Sequence, residues 1–102
     1  PAPIVTPNPS VKLFSLAEND FESGRETDAR AQALRDQGYA VVRYRCSVFS
    51  LFFAALGRLS GHLENGCGLW DIAAGACLCS EAGMTVNTHR IIEGRYFIET
   101  RW

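Results

Sequence analysis

The chain has 102 residues, 47% of them hydrophobic and 21% charged, and its 10 basic and 11 acidic side chains leave a formal net charge of -1. That length suits one domain with a modest core, and the composition excludes a disordered chain. The basic residues are scattered, which excludes nucleic acid and anionic membrane as partners. No apolar run reaches the roughly 18 residues that span a bilayer, since the longest candidate, Val48–Leu56, is interrupted by Ser50.

All the prolines fall within the first ten residues, PAPIVTPNPS. Residues 1–10 are therefore expected to be an extended lead-in and residues 11–102 a single domain. The lead-in lacks a basic start followed by an apolar block, so it does not read as a secretory leader. VKLFSL at 11–16 has strand character. A helix is expected from Ser23 or Gly24 to about Gln37, with Gly38 as its stop and Ala29, Ala33 and Leu34 as a narrow buried stripe. YAVVRY at 39–44 reads as a strand. VFSLFFAALG at 48–57 reads as a helix, apolar on most sides and therefore buried.

LSGHLE at 59–64 alternates weakly and reads as a strand, with His62 turned to the surface or to an interface. NGCG at 65–68 is expected to be a turn, and LWDIAAGACLCSEAG a helix closing at Gly83. MTVN at 84–87 and RYFIET at 95–100 complete the strands, as a hairpin around Glu93 and Gly94. Strands alternating with helices predict an α/β fold, a layered and partly parallel sheet with covering helices.

The cysteines are Cys46, Cys67, Cys77 and Cys79. Cys77 and Cys79 are two positions apart on the expected helix and face different ways, which is poor geometry for a mutual disulfide or paired zinc ligands. Small buried thiols in a reducing cytoplasm are the expectation. Neither His62 nor His89 has the spacing of a zinc ligand. A nucleophilic Cys46 at a helix amino terminus lacks a well-placed histidine.

Asp71 falls in the first turn of its helix, where unpaired amides and the macrodipole favour an anion. A capping role accounts for it without any function. Glu64 ends the preceding strand, and carboxylates at strand ends and helix starts converge on one edge of an α/β sheet, where ligands bind. A solvated edge residue is the alternative for Glu64. Together the two could hold a hydrated magnesium ion, a hard cation that prefers oxygen. Glu81 reads as structural, near the helix end.

LWDIAAGACLCSEAGM resembles the carboxy-terminal signature of the inositol monophosphatase family, in Trp70-Asp71-Ile72-Ala73-Ala74-Gly75 and Glu81-Ala82-Gly83. AALGRLSGHLE upstream resembles the family's helix–strand segment, with Gly57, Arg58, Leu59 and Glu64 in matching places. The resemblance covers about residues 39–84. It implies half of a layered αβαβα fold, magnesium-dependent hydrolysis of inositol or sugar phosphates, Asp71 as a metal ligand and Glu64 as a contact to substrate hydroxyls. It puts Arg45 and Cys46, or Cys46 and Ser47 one residue on, where the family carries a glycine and a hydroxyl residue lining the substrate. The glycine is lost in either register, and a side chain stands where backbone would approach the substrate.

The family's Glu-Glu pair and Asp-Pro-x-Asp-Gly-Thr run have no counterpart among Asp20, Asp28, Asp36 and Asp71 or the glutamates. THRIIEGRYFIETRW also departs from the family's longer ending. The chain thus resembles the carboxy-terminal lobe of a protein more than twice as long, and one carboxylate does not complete a multi-metal phosphatase site. The expectations are negligible phosphatase activity from this chain alone and association with a missing amino-terminal lobe or a second copy. An enzyme fragment and a non-catalytic self-associating or partner-binding module remain alternatives.

Overall fold

The computed structural model describes residues 7, 10–44 and 47–102, with the backbone alone for residues 44 and 47–49. Cys46, one of the expected substrate-lining residues, lies outside them. The elements in chain order are β1 (Leu13–Ala17), α1 (Gly24–Asp36), β2 (Ala40–Tyr44), α2 (Ser47–Ala55), β3 (Gly61–Cys67), α3 (Leu69–Ala82), β4 (Thr85–Ile92) and β5 (Arg95–Arg101). They build a five-stranded sheet in the order β2-β1-β3-β5-β4. β1 runs parallel to β2 and β3, while β5 is antiparallel to β3 and β4. This is the layered, mixed α/β sheet that the alternation of elements predicts.

Local chemistry fixes the helix ends. The Ser23 hydroxyl accepts from the Glu26 amide at 3.1 Å, and the Glu26 carboxylate accepts from the Ser23 amide at 3.2 Å. This reciprocal cap lowers the Glu26 pKa, chiefly through the Ser23 amide, and satisfies two amides that the first turn leaves without helical partners. The buried stripe of α1 is Thr27, Ala31 and Leu34, whereas Ala29 and Ala33 are exposed. Leu34 decides the face, because it is the one large apolar side chain on the helix. Its neighbours one and two turns back, at i−3 and i−7, follow it inward.

The step from β1 to β2 and the step from β2 to β3 run in opposite directions across the sheet. Right-handed crossovers therefore require α1 and α2 on opposite faces, and the packing obeys. Ala31 and Leu34 of α1 pack with Phe14, Leu16 and Leu63 on one face. On the other, Leu51, Ala54 and Ala55 of α2 pack with Ile72 and Cys79 of α3, and with Cys67 and Ile98 of the sheet. Among the described side chains, α2 is buried on this side, while Phe52 and, just past the helix, Leu56 are exposed. α3 lies tight against α2 because Gly75 has no side chain: a Cβ there would come within 2.2 Å of the Leu51 Cδ1.

Two expectations about β3 are overturned. Residues 65–67 continue the strand instead of turning, because β5 supplies pairing partners as far as Tyr96 opposite Cys67. The register shifts there, at Gly66, whose φ of 104° suits a residue without Cβ. The bulge reverses the inward–outward alternation and delivers Cys67 to the α2/α3 face. His62 is fully buried, not on the surface. β3 is a central strand covered on both faces, so neither side of its alternation reaches water. The His62 Nδ1 lies 3.1 Å from the Ser15 hydroxyl, and its Nε2 has no hydrogen-bond partner among the described residues. Burial lowers its pKa to about 4. The β4–β5 hairpin turns at Glu93 and Gly94 as expected, but β4 runs well past residue 87.

Candidate functional site

The amino termini of α1, α2 and α3 all follow the carboxyl ends of parallel strands, so they gather at one edge of the sheet. Connections leave β1 and β3 in opposite directions, which makes the gap between these strands the switch point where α/β sheets bind ligands. Glu64 and Asp71 both lie there, as the sequence reading expects.

Glu64 faces the α2/α3 side near the end of β3. Its residue is 5% exposed, which sets aside the reading of a solvated edge carboxylate. A buried carboxylate requires partners. The Asn19 amide nitrogen donates to the Glu64 Oε2 at 2.8 Å and to the Asn65 carbonyl at 3.0 Å. The Asn19 Oδ1 accepts from the Phe21 amide at 2.9 Å, an Asx turn that folds the β1–α1 loop over the end of β3. Asn65 donates to Glu22 at 2.7 Å, and Glu22 is gripped by the Arg30 Nε at 2.9 and 3.0 Å. A chain of polar contacts thus holds the corner from α1 through to β3.

Asp71 is half-buried in the first turn of α3 and is its single acidic residue there. Gly68 at the N-cap offers no side chain to the free amides, so the helix dipole favours the Asp71 charge without a competing cap. Burial first, then the negative charges of Glu64 and Asp71, push the Cys67 thiol up to about 12. Sequence reasoning missed Asn19 and Cys67. Asn19 carried a detectable signal, an Asx residue two positions before Phe21 in a strand-to-helix loop, but the side Cys67 faces depends on a bulge that residue patterns do not reveal.

Ser47 opens α2 at the same edge. Glu81 is exposed near the end of α3. The described cysteines are free: Cys67 and Cys79 are buried as expected, whereas Cys77 is exposed. Burial pushes the Cys79 thiol up to about 11. A cleft of about 270 Å³, lined by Lys12, Tyr39, Leu59, Ser60 and Trp102 among others, opens at the opposite edge of the sheet and has no part in this corner.

The corner's donors are hard carboxylate oxygens, the right kind for a magnesium ion, which keeps several waters and takes one or two carboxylates. The number falls short of a multi-metal centre: one Glu64 oxygen is already engaged by Asn19. Among the described residues, no group of three or more His, Cys, Asp or Glu is placed to hold a metal ion. No helix among them is long and apolar enough to cross a membrane.

Comparison with known proteins agrees with the motif. The model of the inositol monophosphatase family matches residues 3–99. SuhB of Mycobacterium tuberculosis is 28% identical with a TM-score of 0.70, over 90% of this chain and 37% of that one. Inositol monophosphatase of Anabaena (Nostoc) sp. PCC 7120 is 26% identical with a TM-score of 0.71, over 94% of this chain and 44% of that one. A protein of Sinorhizobium fredii, described as uncharacterized protein y4fL, is 43% identical over 51 residues, half of this chain and 18% of its own length. The chain spans less than half the length of each. With the signature on α3, the sheet order and the family match together, this chain belongs to the inositol monophosphatase family.

Proposed function

We propose that this chain supplies one corner of a magnesium-dependent phosphomonoesterase acting on inositol or sugar phosphates. Asp71 would be a cation ligand. Glu64 would accept from substrate hydroxyls, and Cys46 or Ser47 would line the pocket at the start of α2. The observation that carries the reading is the placement of Asp71, inside the Trp-Asp-x-Ala-Ala-Gly signature, in the first turn of α3 at the sheet edge where β3 ends with the buried Glu64. The cation would neutralise charge on phosphoryl oxygens when bound. The chain's own residues would hold it and orient the sugar, with Asn19 fixing the Glu64 carboxylate.

The donor count favours no turnover by this chain alone, with the remaining acidic ligands supplied by an amino-terminal lobe. The assay is release of inorganic phosphate from inositol monophosphate with magnesium, by the chain alone and with an added amino-terminal lobe of a relative. Activity only in the mixture, lost in Asp71→Asn, supports the reading. Turnover by the chain alone, also lost in Asp71→Asn, would show a complete site and contradict it. The buried free thiols fit a reducing compartment such as the cytoplasm.

A second reading, a non-catalytic self-associating module, is favoured by the exposed apolar side chains of α2 and α3.

A further inference from the structure

The parallel strands β1, β2 and β3 all start at the edge opposite the Glu64–Asp71 corner, and β5, running against them, ends there. The residues just outside these elements, Lys12, Tyr39, Ser60 and Trp102, line the cleft of about 270 Å³, together with Gly57 and Leu59 of the α2–β3 connection. Hydrogen bonds fix its walls. The Ser60 hydroxyl accepts from the Leu13 amide at 3.2 Å and donates to the Val11 carbonyl at 2.8 Å. The Trp102 amide donates to the Ser60 carbonyl at 3.1 Å, and its indole Nε1 donates to the Ala54 carbonyl at 2.7 Å. The Tyr39 ring stands edge-on to Phe14, with centroids 5.1 Å apart. These ties make the cleft preformed, and its volume is near the lower end of small-ligand sites.

The chemistry of the cleft is one-sided. Tyr39, Leu59 and Trp102 offer aromatic and apolar surface, and no acidic side chain lines it. Lys12 is exposed and enters no ion pair among the described residues, and neither does Arg58, exposed between Gly57 and Leu59. We propose that this cleft binds a small aromatic carboxylate, with its ring against Tyr39, Leu59 and Trp102 and its carboxylate beside Lys12. A flat ring fills apolar walls, and one anionic group answers a cation that has no partner in the chain. A sugar phosphate fits worse. The Ser60 hydroxyl is already engaged as donor and acceptor, and the remaining walls would leave the sugar's hydroxyls without hydrogen bonds. The site goes beyond the phosphatase reading and shares no residue with it.

The test is titration of the isotopically labelled chain with 2-naphthoate, and with its neutral analogue 2-naphthamide, followed in the amide spectrum. Saturable shifts are expected at the amides of Lys12, Tyr39, Gly57 and Ser60 and at the Trp102 indole, with a Kd on the order of 0.1–1 mM for naphthoate. Naphthamide should bind about two- to fivefold more weakly. Lys12→Met keeps the apolar stem and removes the charge at an exposed position, so it should weaken naphthoate by the same factor and leave naphthamide unchanged. Val11→Trp, which fills the cleft from its own wall, should abolish both, with circular dichroism to check that the variant folds. None of these changes touches Glu64 or Asp71, so the outcome is read apart from cation binding. Any one of three results overturns the proposal: no saturable shift up to about 10 mM naphthoate, shifts centred on the exposed apolar residues Phe52 and Trp70, or equal binding of the two probes that is indifferent to Lys12→Met.

Discussion

The Asn19 side-chain amide holds the buried Glu64 carboxylate at 2.8 Å while the same nitrogen reaches the Asn65 carbonyl at 3.0 Å. One residue in the β1–α1 loop thereby clamps both the side chain and the backbone at the end of β3. A hydrogen bond to a charged group contributes about 1.5–3 kcal/mol. Asn19→Ala is expected to destabilise the fold by that order, read as a shift in urea midpoint with an unchanged slope. Asn19→Asp should be worse at neutral pH, because it opposes two carboxylates, and should recover part of the loss on acidification.

His62 makes stability depend on pH. Its folded pKa, about 4, lies below the ordinary histidine value of 6.5, so between those values the unfolded chain binds the extra proton. Its contribution is fully present above pH 6.5 and is lost as pH falls toward 4, by on the order of 3 kcal/mol. Carboxylates titrate in the same window, so the measurement is the difference between the wild-type chain and His62→Phe. That difference should narrow as pH falls from 7 to 4. A constant gap across the window would show that the imidazole does not titrate on unfolding.

The seam between α2 and α3 depends on Gly75. Gly75→Ala places a methyl group against Leu51, and overpacking of this kind costs about 1–3 kcal/mol. Leu51→Ala alone opens a cavity and costs about 2–5 kcal/mol. The double variant should lose less than the sum of the two, because each change relieves the other. Strict additivity in thermal or chemical unfolding would contradict the close approach of these helices.

Thiol reactivity should separate the cysteines. The thiolate is the reactive form, and Cys67 and Cys79 are buried and pushed up to about 12 and 11. Cys77 is exposed. Iodoacetamide at pH 8, followed by peptide mass spectrometry, should label Cys77 in the native chain and leave Cys67 and Cys79 until denaturant is added. Early labelling of Cys67 would mean that it does not lie buried beside the two carboxylates.

The sequence made the order of elements legible because its punctuation is local: the Ser23 cap, Gly38 after α1, Gly83 after α3 and the Glu93-Gly94 turn all act within a few residues. It made the corner legible in outline, because strand ends and helix starts meet at one edge of a parallel sheet. What stayed hidden depended on partners distant in the chain. Residues 65–67 resemble a turn until β5 pairs with them, and His62 resembles a surface residue until β1 and β5 enclose its strand. The Thr27–Ala31–Leu34 stripe needed the sheet to choose between two faces of a helix. The roles of Asn19 and Cys67 come from a side-chain hydrogen bond and a bulge, neither of which has a periodic signature.

Manganese-induced line broadening in the amide spectrum of the isotopically labelled chain tests the cation-binding corner most directly, manganese standing in for magnesium as a paramagnetic, oxygen-preferring ion. Selective broadening of the amides of Glu64 to Cys67 and of Gly68 to Asp71, abolished in Asp71→Asn, is the result expected. Broadening centred instead on surface acids such as Asp36 or Glu93, or unchanged in Asp71→Asn, would contradict a cation site at this corner.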